Sequence, residues 1–370
     1  MTDSFTSASI VSRSEIPTAR RIVVKVGSSS ISGANAGQIA PLVDALAEAH
    51  ARGSEVILVS SGAIATGMPY LKLDARPSDL ATQQAAAAVG QNVLIYRYQE
   101  SLDRYDIVAG QVLLTAGDLE NPTHRSNAQR AMERLLGLRI LPIVNENDTV
   151  ATHEIRFGDN DRLAALVAHL VHADALVLLT DVDGLYTGKP GRPESRFIPE
   201  VHSFAELAGV KMSRSGSHIG SGGMVTKIDA AAIATSEGIP VVLASAEHIA
   251  AAVAGTTGTV FHASGDRTAS RLFWLRHATT PRGRLVLDAG AVAAVVGRRT
   301  SLLPAGVTAI EGDFDSGDPV ELVGPDGVAV GRGLVGYDAA DLPALLGRKT
   351  GDLPVEFRRE IVHRDDLVLL

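Results

Sequence analysis

The sequence predicts an α/β protein, a mostly parallel sheet sandwiched by helices, followed by a small C-terminal β-rich domain. Short β-branched runs alternate with longer Ala/Leu-rich amphipathic stretches, the pattern of repeated βαβ units. Several of the apolar runs empty into small and polar residues, as strands do at the ligand-binding edge of open α/β sheets. Near Ala263-Ser264-Gly265-Asp266 the alternation breaks, and short strands punctuated by Gly, Asp and Pro take over.

In chain order, strands are expected at residues 21–26, 55–60, 106–114, 139–144, 175–180 and 240–243. Helices are expected near 38–52, 79–103, 125–138, 161–172 and 225–237. A helix-like stretch reaches His277, Thr279-Thr280-Pro281-Arg282-Gly283 reads as a linker, and strands follow at 284–287, 307–310, 319–322 and 328–333. At 370 residues the chain exceeds one ordinary core. It divides into a flexible, Ser/Thr-rich N-terminus (1–20), an α/β domain (21–265), a linker (266–280) and a β-rich domain with a tail (281–370).

Composition narrows the function. Hydrophobic residues make up 45% and charged residues 21%, which is globular rather than disordered. A net charge of −8 argues against generic polyanion binding. From Pro281 onward ten Lys/Arg face fourteen Asp/Glu, which also speaks against RNA as a partner of the second domain. Zero cysteines exclude disulfides, thiolate metal sites and cysteine nucleophiles. Neither a secretion signal nor a membrane span is signalled, so the cytoplasm is the expected location. The eleven histidines lack paired helical spacing, and no metal site is expected from them.

Chemistry concentrates at the expected strand ends. Lys25 closes an apolar run before Gly27-Ser28-Ser29-Ser30, a loop that would let phosphate oxygens approach backbone N–H groups. A solvated strand-end lysine is the plainer reading of that residue taken singly. Ser60-Ser61-Gly62-Ala63 ends the second strand where a helix start would hold an anion, although ordinary N-capping explains it as well. Asn145-Glu146-Asn147-Asp148 follows the fourth strand, and Gly158-Asp159-Asn160-Asp161 lies ten residues on. That density of amides and carboxylates suits a polar site, and the second group also suits a turn with an N-cap. Thr180-Asp181 ends the fifth strand before Asp183-Gly184, itself a turn signal. Gly220-Ser221-Gly222-Gly223-Met224-Val225-Thr226-Lys227 introduces a helix whose N–H groups, dipole and lysine would face a polyphosphate; a flexible linker is its alternative. It is neither a Walker A loop nor a dinucleotide fingerprint. Five such loops at successive strand ends of one sheet converge on one edge. Two lysines with nearby carboxylates there are the electrostatic kit of phosphoryl transfer, which points to a kinase.

These same segments, in this order, resemble the glutamate 5-kinase family, and the likeness runs from about Arg21 to Val362-His363-Arg364-Asp365-Asp366. The resemblance implies an amino acid kinase domain followed by a PUA domain, with ATP and Mg2+ used to phosphorylate the γ-carboxylate of L-glutamate at the opening of proline biosynthesis. It implies that Lys25 and Lys227 flank the transferring phosphoryl group and that Asp161 holds both. Ser61, Asp148 and Asn160 would bind glutamate. Lys25, Gly27, Gly62, Thr180, Asp181 and the loop Ser221, Gly222, Gly223, Met224, Val225, Thr226, Lys227 would contact ATP. It further implies inhibition by proline, hand-over of the product to glutamyl phosphate reductase, and a homodimer or homotetramer. Two positions depart from the family pattern: Ser221 stands where Thr is common, conserving the hydroxyl, and Val182-Asp183 replaces a Gln/Lys-like pair beside the adenine side.

Overall fold

Residues 12–151, 160–210, 223–265 and 270–370 are described by the computed structural model. The chain divides into two units, Met1–Arg267 and Thr268–Leu370. In the first, elements follow in the order β1 (Arg21–Lys25), α1 (Ile39–Ala51), β2 (Glu55–Val59), α2 (Ala63–Gly67), α3 (Leu80–Leu102), β3 (Ala109–Leu114), α4 (Ala116–Glu120), α5 (Pro122–Gly137) and β4 (Leu141–Glu146). Then come α6 (Asn160–Leu170), β5 (Ala175–Thr180), β6 (Leu185–Tyr186), β7 (Phe197–Ile198), β8 (Glu200–Val201), α7 (Met224–Thr235), β9 (Val241–Ser245), α8 (Ile249–Val253) and β10 (Thr259–Phe261).

The β-branched runs form one eight-stranded sheet, ordered β3-β4-β2-β1-β5-β9-β10-β8. Every pairing is parallel except β9 with β10. Its central strands β1, β5 and β9 are buried along their whole length, as expected where helices cover both faces. The chain builds outward from β1 to β2 on one side and resumes with β5 on the other. Such a reversal opens a crevice beyond the strands' carboxyl ends, and the loops after β1, β2 and β5 surround it.

Two helices meet there at unusually short range. A Cβ at Gly90 of α3 would lie 1.8 Å from the Ala63 carbonyl oxygen, and one at Gly67 of α2 would lie 1.9 Å from that of Ala86. Main chain packs on main chain, which only glycine permits. Because α2 begins directly after Ser60-Ser61-Gly62, this crossing fixes that loop's exit.

At the far, amino-terminal end of β1, Arg21 is 8% exposed and reaches Glu55 Oε2 (Nε, 2.9 Å) and Glu133 Oε1 (Nη1, 2.6 Å). Charge therefore also ties the sheet together at the end away from the crevice.

The second unit contains α9 (Ser270–His277), β11 (Gly283–Leu287), α10 (Ala289–Val292), β12 (Val307–Gly312), β13 (Pro319–Val323), β14 (Ala329–Val335) and β15 (Val362–Leu369). Its sheet runs β12-β11-β13-β14-β15 over a core that includes Leu285, Leu287, Val320, Leu322 and Tyr337. The chain's single tryptophan, Trp274, is buried in this unit, edge-on to Phe273.

Several boundaries differ from expectation for local reasons. Asp106 has φ of 56° and closes a 3-10 turn, so the third strand starts at Ala109 rather than 106. Arg139 has φ of 59°, so the fourth starts at Leu141. That strand continues through Asn145 and Glu146, both buried, where polar character had suggested its end. Pro122 with the Asn121 cap begins α5 three residues early. The C-terminal strand β15 went unpredicted because His363-Arg364-Asp365-Asp366 interrupts its apolar alternation.

Candidate active site

Lys25 ends β1, Asp161 lies in the first turn of α6, and Lys227 lies in the first turn of α7. The fold brings these three together. Lys25 Nζ lies 2.5 Å from Asp161 Oδ1, and Lys227 Nζ lies 3.0 Å from Oδ2. Asp161 is fully buried, Lys25 is 2% exposed and Lys227 7%. The reading of Lys25 as a solvated lysine is thereby overturned: its ammonium, at the end of a strand, is held inside the protein by a carboxylate from α6. Burial would by itself raise the Asp161 carboxyl, but the two ammonium charges and their hydrogen bonds outweigh it and hold the group down at about 2. Two ammonium groups held on one buried carboxylate at the strand end are suited to meet an anionic ligand. Thr226 Oγ1 adds a contact 3.0 Å from Asp161 Oδ2 and lies 2.8 Å from the Gly223 carbonyl oxygen. Gly223 is the N-cap of α7 and offers no side-chain cap, so that helix's first N–H groups take none from it.

Beside this triad runs an amide network. Asn160 Nδ2 donates toward the Ser60 carbonyl at 2.7 Å, Asn145 Oδ1 at 2.8 Å and Ser61 Oγ at 3.0 Å. Asn145 Nδ2 in turn donates to Gln91 Oε1 of α3 at 2.7 Å. Ser60 Oγ shares a 2.9 Å hydrogen bond with Tyr98, whose complete burial pushes its hydroxyl above the ordinary phenol range. One network thus links the ends of β2 and β4 to α3 and α6. Ordinary N-capping does not account for the serines: the α2 cap is Gly62, at φ of 98° and without a side-chain cap. A Cβ there would lie 3.4 Å from the Ser28 backbone, so the loops after β1 and β2 touch closely.

Among the remaining predicted residues, Gly27 follows β1, and Asp148 is half-buried in the turn after β4. Thr180 is buried at the end of β5 and donates to exposed Asp181 at 3.0 Å. Met224 and Val225 are half-buried in the first turn of α7. Ser221 and Gly222 lie outside the described residues. Gln91 and Tyr98 were missed. No sequence signal marks a glutamine in an Ala-rich helix as a partner for a strand-end asparagine, whereas Asn145 lay in a flagged cluster without a role.

Comparison with known proteins shows the family. Residues 20–245 match the amino acid kinase family model, and residues 283–354 match the PUA domain. The fold resembles carbamate kinase from Giardia lamblia bound to AMP-PNP, with a TM-score of 0.50 at 15% identity, covering 67% of this chain and all of that one. The family model spans well over half of the chain and a PUA domain follows it, which defines the class: the chain belongs to the amino acid kinase family. Glutamate 5-kinase of Streptomyces coelicolor is 57% identical over 368 residues, covering 97% of this chain and 98% of that protein. The glutamate 5-kinase of Salinispora arenicola is 58% identical, covering 97% and 100%. Within the kinases, this chain belongs to the glutamate 5-kinase family.

Proposed function

We infer that the chain transfers the γ-phosphoryl group of ATP to the γ-carboxylate of L-glutamate, giving L-glutamyl 5-phosphate, the first step of proline biosynthesis. The observation that carries this is the buried Lys25–Asp161–Lys227 triad at the carboxyl edge of the sheet. A glutamate side chain, with a reference pKa of about 4.3, is ionised at neutral pH, so no general base is needed. One carboxylate oxygen attacks the γ-phosphorus as the bond to the bridging oxygen breaks, and ADP leaves with that electron pair. The difficulty is bringing two anions together. Lys25 and Lys227 supply the countercharge, Asp161 holds both ammoniums in place before substrate arrives, and charge spreading over the phosphoryl oxygens is stabilised without reorganisation.

Mg2+ enters as part of the MgATP co-substrate. Both oxygens of Asp161 are engaged by lysines, consistent with the ion's usual preference for phosphate oxygens and water over an all-protein cage. We assign Asn160 and Ser61 to the amino acid, because the amide fixes the serine hydroxyl at 3.0 Å, with Asp148 as partner of the substrate ammonium. Gly27, Gly62, Thr180, Asp181 and the first turn of α7 are assigned to ATP. Proline is proposed as an inhibitor at the glutamate site. The product is an acyl phosphate prone to hydrolysis, which favours hand-over to glutamyl phosphate reductase.

The test is an assay dependent on ATP and Mg2+, with the acyl phosphate trapped by hydroxylamine and aspartate, N-acetylglutamate and carbamate as control acceptors. Hydroxamate from glutamate alone is expected. Signal from another acceptor would retain the chemistry and overturn the substrate.

A further inference from the structure

At the edge of the sheet in the first unit, β8 pairs with β10 over two residues only, Glu200 opposite Val260 and Val201 opposite Phe261. The same register places His202 beside His262, and the ladder hydrogen bond from His262 N to the Val201 carbonyl, 2.9 Å, holds them there. Alternation along a strand then sorts the side chains. Val201 and Phe261 face the core, 2% and 1% exposed, while Glu200, His202 and His262 share the opposite face.

The two imidazoles stack with centroids 4.1 Å apart and planes 16° from parallel. Both direct Nε2 at the same atom: Glu200 Oε2 lies 3.2 Å from that of His262 and 3.6 Å from that of His202. All three donor atoms fall within 4.8 Å of one another. Ligands bound at about 2.0–2.1 Å around a tetrahedral ion sit roughly 3.3 Å apart, close to these spacings. A surface ion pair explains one imidazole on one carboxylate; it gives no reason for a second imidazole stacked on the first and aimed at the same oxygen.

We propose that Glu200, His202 and His262 form a binding site for a divalent transition-metal ion of the zinc class. Two imidazoles and a carboxylate select such an ion over Mg2+ or Ca2+, which favour oxygen donors. Three protein ligands leave the fourth position to water on the exposed side, where His202 is 64% exposed. The site lies at the amino-terminal end of β9, opposite the catalytic edge, since β10 runs antiparallel to β9 and Phe261 pairs with Val241. Bound metal staples the two-residue edge strand β8 to its neighbour and takes no part in phosphoryl transfer. The histidines escaped notice in the sequence because they lie sixty residues apart and meet only through strand register.

The test is equilibrium dialysis of the full chain, stripped with chelator, against Zn2+ in excess Mg2+, with Cu2+ electron paramagnetic resonance as a second readout. One ion per chain is expected, with nitrogen hyperfine structure from two imidazoles. His202→Ala and His262→Gln should each weaken binding at least about tenfold. His202 is so exposed that its variant tests the site without disturbing the fold, and turnover with glutamate should stay unchanged. Equal Zn2+ binding by wild type and a His202→Ala/His262→Gln double variant would overturn the proposal, as would displacement of Zn2+ by millimolar Mg2+.

Discussion

Replacing Asp161 with asparagine isolates the charge logic of the active site, because the side-chain volume barely changes while a carboxylate shared by two buried ammoniums loses its charge. The Lys25 and Lys227 side chains are 3% and 9% exposed, so water cannot take over the role of the carboxylate. Removing one partner of a buried ion pair costs about 3–5 kcal/mol, since the remaining charge stays desolvated. At about 2–4 °C per kcal/mol for a unit of this size, the kinase unit should melt roughly 6–20 °C lower. Tryptophan fluorescence would be the wrong probe, since Trp274 belongs to the second unit. Hydrogen exchange of the β1 and β5 amides, read through a thermal series, reports the relevant one. Turnover, measured by the hydroxamate assay, should fall on the order of 100-fold or more as the lysines lose their fixed positions. Adding Lys227→Met to Asp161→Asn removes one orphaned charge and should restore part of the lost stability. A single variant within about 2 °C of wild type, or a double variant less stable than the single, would refute the reasoning.

Lys227→Ala should cut kcat by about 100- to 1000-fold while leaving the KM for glutamate little changed, as expected of a group that stabilises the transition state; steady-state kinetics decide, and a rise in KM alone would remove that role. The Asp161 carboxyl, held at about 2 against an ordinary 3.8, contributes about 2 kcal/mol that is fully present above pH 3.8 and lost as pH falls through 2. Carboxyl 13C NMR should find this group still ionised at pH 3, and protonation at pH 4 would contradict the paired geometry. Gly90→Ala should destabilise by about 1–3 kcal/mol or more, because its methyl group meets the Ala63 carbonyl at 1.8 Å; a denaturant midpoint equal to wild type would show that α2 and α3 separate freely.

The sequence made β1, β2, β4, β5 and β9 legible because their apolar runs are almost wholly buried and need no partner to be recognised, whereas β6, β7, β8 and β10, of two or three residues each, are too short to carry a pattern. It also pointed to Lys25, Asp161 and Lys227, but the residues taken one at a time favoured solvent for Lys25. Its burial depends on a carboxylate 136 positions later in the chain, a tertiary fact that no local pattern records. Asn145 was hidden differently: its polarity suggested a loop, whereas the ladder pairing Leu113 with Asn145 carries the strand onward, and the amide's cost of burial is offset by Gln91 and Asn160. Strand β15 was missed because a charged stretch on an exposed face imitates a loop.

The crossing of α2 and α3 has a meaning for anyone who would redesign the acceptor pocket. Side chains are adjustable parts, whereas two backbones in contact form a fixed ruler. The segment Ser60-Ser61-Gly62 emerges at a height set by Gly67 and Gly90, so point substitutions in that segment can alter which groups it presents but not where it stands. Shifting the pocket by an ångström to admit a longer or shorter amino acid would require the pair of helices to move together. On the proposed assignment of Asp148 to the substrate ammonium, new acceptor specificity is therefore more accessible through the turn after β4, which lies outside that backbone-to-backbone crossing.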